Sequence, residues 1–217
     1  MRTVIYRLDS YDGLGGVLMG RASKADAARH HEELVTVASR LFRERGVGSV
    51  SVPDVMGEIG LTRGGFYKHF ESKEALVAAA VEAAFTEHLD RLAGMSEQSD
   101  QDPAQTRAAF ADFCLSSTHR DDPANGCPSS LATAMGYVEH EGAPRTAFIA
   151  GMHTFLRELA DKASEDGIDP EAQQERNLVD LSTIVGALLL SRATAGDSIS
   201  DAILAAARRS LDAPGHA

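Results

Sequence analysis

Apolar residues recur at helical spacing from about residue 24 onward. Four of them fall at positions i, i+4, i+7 and i+8 of one segment, namely Leu34, Ala38, Leu41 and Phe42. This spacing is one face of an amphipathic helix. Gly46 follows directly and suits the left-handed conformation that ends many helices. The pattern therefore predicts a first helix over residues 24–45.

Two short capped segments follow the first helix. The stretch Ser51–Asp54 has a serine cap, a proline in the first turn and an aspartate that can complete a capping box. Gly60 ends that helix after a few residues, and Thr62 then offers a cap for a second short helix over residues 63–70. Ser72 opens a third, longer helix. Two short helices joined by a glycine-containing turn, behind a longer helix, predict a helix-turn-helix.

The rest of the chain has the same helical pattern and no sustained strand-like alternation. Glycine- or proline-containing breakers separate the segments, at 102–103, 121–123, 142–144, 167–170 and 196–197. We therefore expect an all-α protein of about nine helices. The expected parts are a disordered tail over 1–23, a head over 24–71 and a body over 72–217. The tail has glycines and no helical period, and whether the natural chain begins at Met19 stays open.

Charge is distributed unevenly between these parts. The whole chain has a formal net charge of −11. Residues 20–73 carry 9 Lys and Arg against 7 Asp and Glu, whereas residues 74–217 carry 10 against 23. Binding of nucleic-acid phosphates depends on local positive charge and not on the sum over the chain. The asymmetry favours a DNA-binding head on an acidic body.

Composition narrows the class of protein further. Hydrophobic residues make up 43% of the chain, enough for a sizeable core. No apolar run approaches the roughly 18 residues of a membrane span, and no signal peptide is evident. We expect a cytoplasmic protein that does not bind membranes. The two cysteines, Cys114 and Cys127, are expected to stay reduced there.

The stretch Ser51–Leu76 closely resembles the TetR/AcrR family of transcriptional regulators. The matching features are the short helix ending at Gly60, the Phe66-Tyr67-x-His69-Phe70 element and the Ser72-Lys73-Glu74-x-Leu76 start, and they cover about a quarter of the chain. One departure is Met56, where the family usually has a small residue. The resemblance implies a ligand-responsive repressor, a homodimer that a small apolar or amphipathic inducer releases from a palindromic operator.

The resemblance also implies which head residues contact DNA. A guanidinium can bond guanine bidentately, so Arg63 is the candidate for reading a base. Glycines at the start of the same helix let its backbone approach the DNA closely. The full expected set is Ser51, Thr62, Arg63, Gly64, Gly65, Tyr67, Lys68, His69 and Lys73. For Tyr67 the alternative is a core aromatic, and for Lys68 it is a solvated surface charge.

In such a regulator the body binds the inducer and forms the dimer. Phenylalanine and methionine side chains of the middle helices are expected to line the inducer pocket, namely Phe85, Phe110, Phe113, Met135, Met152 and Phe155. An apolar seam on the penultimate helix is expected to form the dimer interface, namely Leu178, Leu181, Ile184, Val185 and Leu188. Ordinary core is the alternative for both sets.

Two alternatives to an inducer-released regulator stay open. Cys127 precedes a predicted helix start, where a thiol pKa is lowered, so the same fold could work as a thiol-based redox or electrophile sensor. The second alternative is a helical binding protein that no longer reads DNA. We do not expect an enzyme, a cofactor or a metal, because the glycines near residue 14 lack a preceding strand and His30-His31-Glu32 lacks the second histidine of a zinc-protease motif.

Overall fold

The computed structural model describes residues 15–128, 142–163, 167 and 169–212, except for the side chains of 15–23 and of Arg63. Eight α-helices lie in these residues: α1 Gly15–Arg45, α2 Val52–Glu58, α3 Lys73–Gln98, α4 Pro103–Cys114, α5 Ser117–Asp121, α6 Ala143–Ala163, α7 Pro170–Ala193 and α8 Ser198–Asp212. Two 3₁₀ helices, Val47–Ser49 and Arg63–Lys68, lie in the head. The all-α prediction is confirmed, and eight helices are close to the nine expected.

Two boundaries differ from the sequence prediction. Helix α1 begins at Gly15 and not at Lys24. Alanine, the strongest helix former, occupies four positions between residues 22 and 28, a propensity signal that apolar spacing misses. The Arg63–Lys68 segment, called the 63–68 helix below, is a 3₁₀ helix of six residues. Gly64 and Gly65 weaken its α-helical propensity, and so short a segment has little cooperative gain to compensate.

Local capping explains where the head helices begin. The Ser51 hydroxyl accepts a hydrogen bond from the Asp54 amide, while the Asp54 carboxylate accepts one from the Ser51 amide, so the predicted capping box is confirmed. Ser72 likewise accepts from the Ala75 amide at 3.1 Å. Thr62 precedes the 63–68 helix but makes no capping hydrogen bond through its side chain. The prediction of a Thr62 cap is therefore wrong.

Head and body share one apolar core. Helix α3 packs against α1 at its beginning and against α6 along the body. The same cluster of buried residues runs from Leu34 and Phe42 in α1, through Leu76 in α3, to Phe155 in α6 and Leu204 in α8. The core is therefore continuous from the head into the body through α3.

Within the described residues, no helix combines the length and hydropathy needed to cross a membrane. The same residues contain no cluster of three or more His, Cys, Asp or Glu side chains that could hold a metal ion.

Candidate nucleic-acid interface

The 63–68 helix is anchored to the head by its apolar side. Phe66 is fully buried and Phe70 nearly so, and their ring centroids lie 5.8 Å apart. Val55 and Met56 of α2 belong to the same core. Backbone bonds from Gly65 to the Thr62 carbonyl and from His69 to the Phe66 carbonyl complete the short helix. A fixed inner side leaves the outer side available for contact with a partner.

The outer side of the 63–68 helix is open and contains an exposed aromatic ring. The Tyr67 side chain is 65% exposed, which excludes the core alternative for this residue. Lys68, Gly64 and Thr62 are also exposed. Arg63 opens the helix, but its side chain lies outside what the structure describes. A large amphipathic ring, a cation and a bare backbone on one exposed turn form a surface suited to a DNA groove.

The two glycines of this helix differ in what surrounds them. A β-carbon added at Gly64 would meet no atom within 4 Å, so the protein's own packing does not require glycine there. A β-carbon at Gly65 would lie 3.4 Å from the terminal methyl carbon of Met56. Met56 therefore fills the space between α2 and the 63–68 helix. This contact gives the physical role of the residue that departs from the family pattern.

Two other expected contact residues already have partners within the chain. The Ser51 hydroxyl donates to Asp54 Oδ2 at 2.6 Å. The Lys73 ammonium donates to the Val47 carbonyl oxygen at 2.7 Å and is part-buried, so it holds the turn after α1 against the start of α3. Sequence reasoning missed this positioning role of Lys73. The sequence gives no local signal for this contact, because Val47 and Lys73 are far apart in the chain.

His69 lies in a small cluster of histidines between α1 and the 63–68 helix. Its ring centroid is 6.3 Å from that of His30 and 6.4 Å from that of His31, and His31 stacks on Phe70 at 4.6 Å. Burial lowers the pKa of His69, and the charges of His31, His30 and Lys68 lower it further. His69 is therefore a neutral donor or acceptor at neutral pH, and it faces both the protein and the exposed turn.

The expected inducer-pocket residues form tightly packed core where the structure describes them. Phe110 and Phe155 enclose His88 with ring centroids 5.4 and 5.1 Å away, and Phe85 occupies the space beside Gly151 that a β-carbon would need. Phe113 and Met152 are partly buried against this core, and Met135 lies outside the described residues. Phe110 also borders a cavity of the body, and the assignment of these side chains to an inducer pocket stays a prediction.

Burial sets the charge of the histidines in this region. The pKa of His88 falls to about 3 because of burial, with smaller contributions from the charges of Arg91, His119 and Arg43. Burial likewise lowers the pKa of His119 to about 4, with the Arg192 charge next in size. Both rings are therefore neutral at pH 7 and act as core side chains.

The expected dimer seam divides between two faces of α7. Leu181, Ile184 and Leu188 are buried in the protomer's own core, so a partner subunit cannot use them as its main contacts. Val185 is partly buried, whereas Leu178 is 43% exposed. Most of the expected seam therefore lies on the inner face of α7, and a dimer interface on this helix stays a prediction. Sequence reasoning did not single out two apolar residues that point outward from α7, namely Val179 and Leu190, whereas exposed Ile199 lies on α8, the helix expected to join the interface.

The thiols offer little support for a sensor. Cys127 is buried, and so is Cys114, whose pKa burial raises well above its ordinary value. Neither forms a disulfide. The helix expected to begin beside Cys127 lies outside the described residues. A buried thiol is protected from oxidants and electrophiles, so the structure does not favour the thiol-sensor alternative.

The head matches a known family. Residues 34–80, which include the exposed turn and the Lys73 anchor, match the model for bacterial regulatory proteins of the tetR family. By this match, the head is a TetR-family head. Sequence relatives include the HTH-type transcriptional regulator TtgR of Pseudomonas putida, 36% identical over 83 residues that cover 38% of this chain and 39% of the relative. The HTH-type transcriptional repressor KstR2 of Rhodococcus jostii is 28% identical over 137 residues, 63% of this chain and 64% of the relative.

The likeness extends to the whole TetR fold when structures are compared. A TetR transcriptional regulator from Legionella pneumophila superposes with a TM-score of 0.71, covering 83% of this chain and 94% of that one. At 20% identity this shows a shared fold and no more. The alignment to TtgR covers about two fifths of that relative's length, essentially the head and its surroundings. The body of this chain is thus the part that sequence comparison describes least.

Proposed function

We propose that this chain is a DNA-binding transcriptional regulator whose head reads an operator through the 63–68 helix. The observation that carries the proposal is the exposed turn at Gly64–Lys68, held by two buried phenylalanines and belonging to a TetR-family head. Its relatives are named as transcriptional regulators. Arg63 is the proposed base reader, and Tyr67, Lys68 and His69 are proposed phosphate contacts.

The regulator is proposed to act as a homodimer on a palindromic operator. A helix-turn-helix dimer places its two reading helices about 34 Å apart, one turn of DNA. The proposed interface is the outward face of α7 and the start of α8, which carries Leu178, Val179, Leu190 and Ile199. Exposed apolar side chains of this size on two adjacent helices favour burial against a second copy.

Repression and release by a ligand complete the proposal. Repression is supported by the relative KstR2, which is a transcriptional repressor. A ligand that binds better to one conformation of the body lowers operator affinity only if the heads differ between conformations. The continuous core through α3 supports such coupling.

The test is binding of the purified full chain to the DNA upstream of its own gene, at two salt concentrations, with and without Arg63→Ala. We expect tight binding that resists random competitor DNA and that Arg63→Ala weakens mainly on the operator. Binding that is weak, equal on random DNA and unchanged by Arg63→Ala would favour the alternative, a helical binding protein that no longer reads DNA. Light scattering of the same sample checks the dimer.

A further inference from the structure

A cavity of about 180 Å³ lies among four helices of the body. Its walls come from α4, from α7 and from the C-terminal parts of α6 and α8. Among the residues expected to line an inducer pocket, Phe110 borders this cavity, and Leu159, Leu181 and Ile184 lie in the same wall together with several alanines. A wall of this kind binds a small molecule by burying its apolar surface.

The charged residues of the wall are already engaged within the protein. Arg107 of α4 pairs with Asp180 of α7. Arg208 of α8 pairs with an aspartate one turn later on its own helix at 2.9 Å and with Asp112 of α4 at 2.5 Å. Arg176, the remaining arginine of the wall, also has a partner within the chain. The wall therefore has no spare charge to balance an ionic ligand, and burying an unbalanced ion is costly.

A buried pair of amides supplies the polar group of the cavity. Asn177 lines the cavity and is only 4% exposed, and its Oδ1 accepts a hydrogen bond of 2.9 Å from Nε2 of Gln173, which is equally buried. The other atom of each amide, Nδ2 of Asn177 and Oε1 of Gln173, has no hydrogen-bond partner. Buried amide groups without a partner are unfavourable, so native proteins usually provide one. Asn177 therefore offers an unused hydrogen-bonding atom to a molecule in the cavity.

This amide pair can offer the ligand either a donor or an acceptor. Turning both amides by 180° keeps the bond between them and exchanges their roles, so that Asn177 donates to Gln173 and the oxygen of Asn177 becomes the unused atom. A hydroxyl group matches both arrangements, because it donates one hydrogen bond and accepts others. A carboxylate only accepts and an ammonium group only donates, and each brings a charge that the wall does not balance. The amide pair therefore favours an uncharged hydroxyl compound.

The volume of the cavity limits the apolar body of the ligand. A dry cavity of about 150 Å³ in another protein holds benzene. From these observations we propose that this cavity binds an uncharged hydroxyl compound of about eight non-hydrogen atoms, such as p-cresol or benzyl alcohol. Its hydroxyl group pairs with the Asn177 amide, and its ring packs against Phe110 and Leu181. In the regulator this compound is the effector, a step that rests on the proposed function, whereas the binding itself does not.

The experiment titrates the full chain by calorimetry with p-cresol and with p-xylene, in which a methyl group of similar size replaces the hydroxyl group. We expect p-cresol to bind about fivefold more tightly than p-xylene, because only p-cresol forms the hydrogen bond. Benzyl alcohol should bind at least about tenfold more tightly than benzoate and benzylamine, its anionic and cationic counterparts at neutral pH. If neither hydroxyl compound binds, or if p-xylene or either ion binds as tightly, the proposal is overturned.

Two variants locate the binding in this cavity. Ala108→Leu fills the cavity and should abolish the binding of p-cresol. Ala172→Leu, at an exposed position of α7 outside the cavity, is the matched control and should leave the binding unchanged. Circular dichroism shows whether each variant is folded. Binding of p-cresol that a folded Ala108→Leu protein retains in full would place the site elsewhere and overturn the proposal.

A double variant tests the amide pair itself. Gln173→Met combined with Asn177→Leu replaces both amides by apolar side chains, so that neither is left buried without its partner. We expect this protein to bind p-xylene more tightly than p-cresol, which reverses the order of the wild type, because the hydroxyl group then loses its partner. A double variant that keeps the wild-type preference for p-cresol would show that the amides do not bind the hydroxyl group.

Operator binding, measured without and with p-cresol, keeps the two proposals apart. If the chain binds p-cresol at this site but no operator, the cavity assignment stands and the proposed regulator fails. If it binds the operator but neither hydroxyl compound, the regulator stands and the cavity assignment fails. If both bind and saturating p-cresol leaves operator affinity unchanged, the cavity assignment stands and the effector role is wrong.

Discussion

Gly64 gives the sharpest test of the proposed DNA-binding surface, because stability and function should change in opposite directions. A methyl group added there would touch no other atom of the protein, and the backbone at Gly64 is outside the left-handed region. Replacing a helical glycine by alanine stabilises a protein by about 0.5–1 kcal/mol. For a chain of this length, that corresponds to a rise in Tm of about 1–4 °C. Gly64→Ala should therefore fold at least as stably as the wild type.

The same methyl group should weaken operator binding. If the backbone of the 63–68 helix lies against the DNA, the methyl group occupies space that the interface needs. Overpacking of a close interface costs about 1–3 kcal/mol. Since 1.4 kcal/mol is a factor of ten in affinity, operator Kd should rise about 5- to 150-fold.

The assay pairs thermal unfolding with fluorescence anisotropy on labelled operator DNA. Gly94→Ala is the matched control, because a β-carbon at this α3 glycine also meets no atom within 4 Å but the site lies in the body. It should raise Tm by a similar amount and leave Kd unchanged. If Gly64→Ala binds the operator as tightly as the wild type, the backbone of this helix does not approach the DNA, and the proposed reading surface is wrong.

The remaining predictions concern charge, pH and assembly. Lys68→Ala should leave stability within about 0.5 kcal/mol of the wild type and reduce the slope of log affinity against log salt by about 1. Lys73→Ala should instead cost about 1–3 kcal/mol of stability, because it breaks the hydrogen bond to the Val47 carbonyl. His88, with its pKa lowered to about 3, stays neutral in the folded protein but takes up a proton when the chain unfolds below about pH 6.5. Its contribution is therefore present at pH 7 and falls by about 2 kcal/mol by pH 5, and His88→Leu should remove that part of the pH dependence in urea unfolding. Leu190→Arg, on the outward face of α7, should give a folded monomer in light scattering.

Each of these predictions has a control or an outcome that would contradict it. Ile149→Arg, also an exposed apolar residue but on α6, should leave the dimer intact. A Leu190→Arg protein that stays dimeric would move the interface elsewhere. An unchanged salt slope for Lys68→Ala would mean that this lysine is only a solvated charge. If wild type and His88→Leu show the same pH dependence between pH 7 and 5, protonation at His88 does not govern it.

The parts of the fold that were predictable from sequence are those fixed by neighbouring residues. The Ser51–Asp54 capping box and the left-handed Gly46 each depend on a few adjacent positions, so a local pattern is sufficient. The 63–68 helix was harder, because its 3₁₀ geometry reflects a balance between two glycines and the anchoring of Phe66. Local rules predicted that a short helix forms there, but not its type.

The sequence predictions that failed are those that depend on which face of a helix packs against which neighbouring helix. On α7, the inner and outer apolar residues alternate closely, and the packing of α4, α5, α6 and α8 around it decides that Leu181 points inward and Leu178 outward.

Arg43 shows what such distant contacts mean for regulation. As a basic residue near the end of α1, it gave no sign of burial, yet its guanidinium donates to the Gly126 carbonyl and to Glu87 Oε2, both at 2.9 Å. Gly126 is itself confined, because a β-carbon there would lie 2.9 Å from the Arg192 guanidinium of α7. The first helix of the head is therefore tied, through one buried arginine, to a loop that α7 also contacts. A body movement that displaces this loop must either carry α1 with it or break a buried charged hydrogen bond, and the latter costs about 1–3 kcal/mol. This cost is of the same size as a typical coupling energy between two binding sites, and it sets the upper limit of what this contact contributes to coupling between body and head.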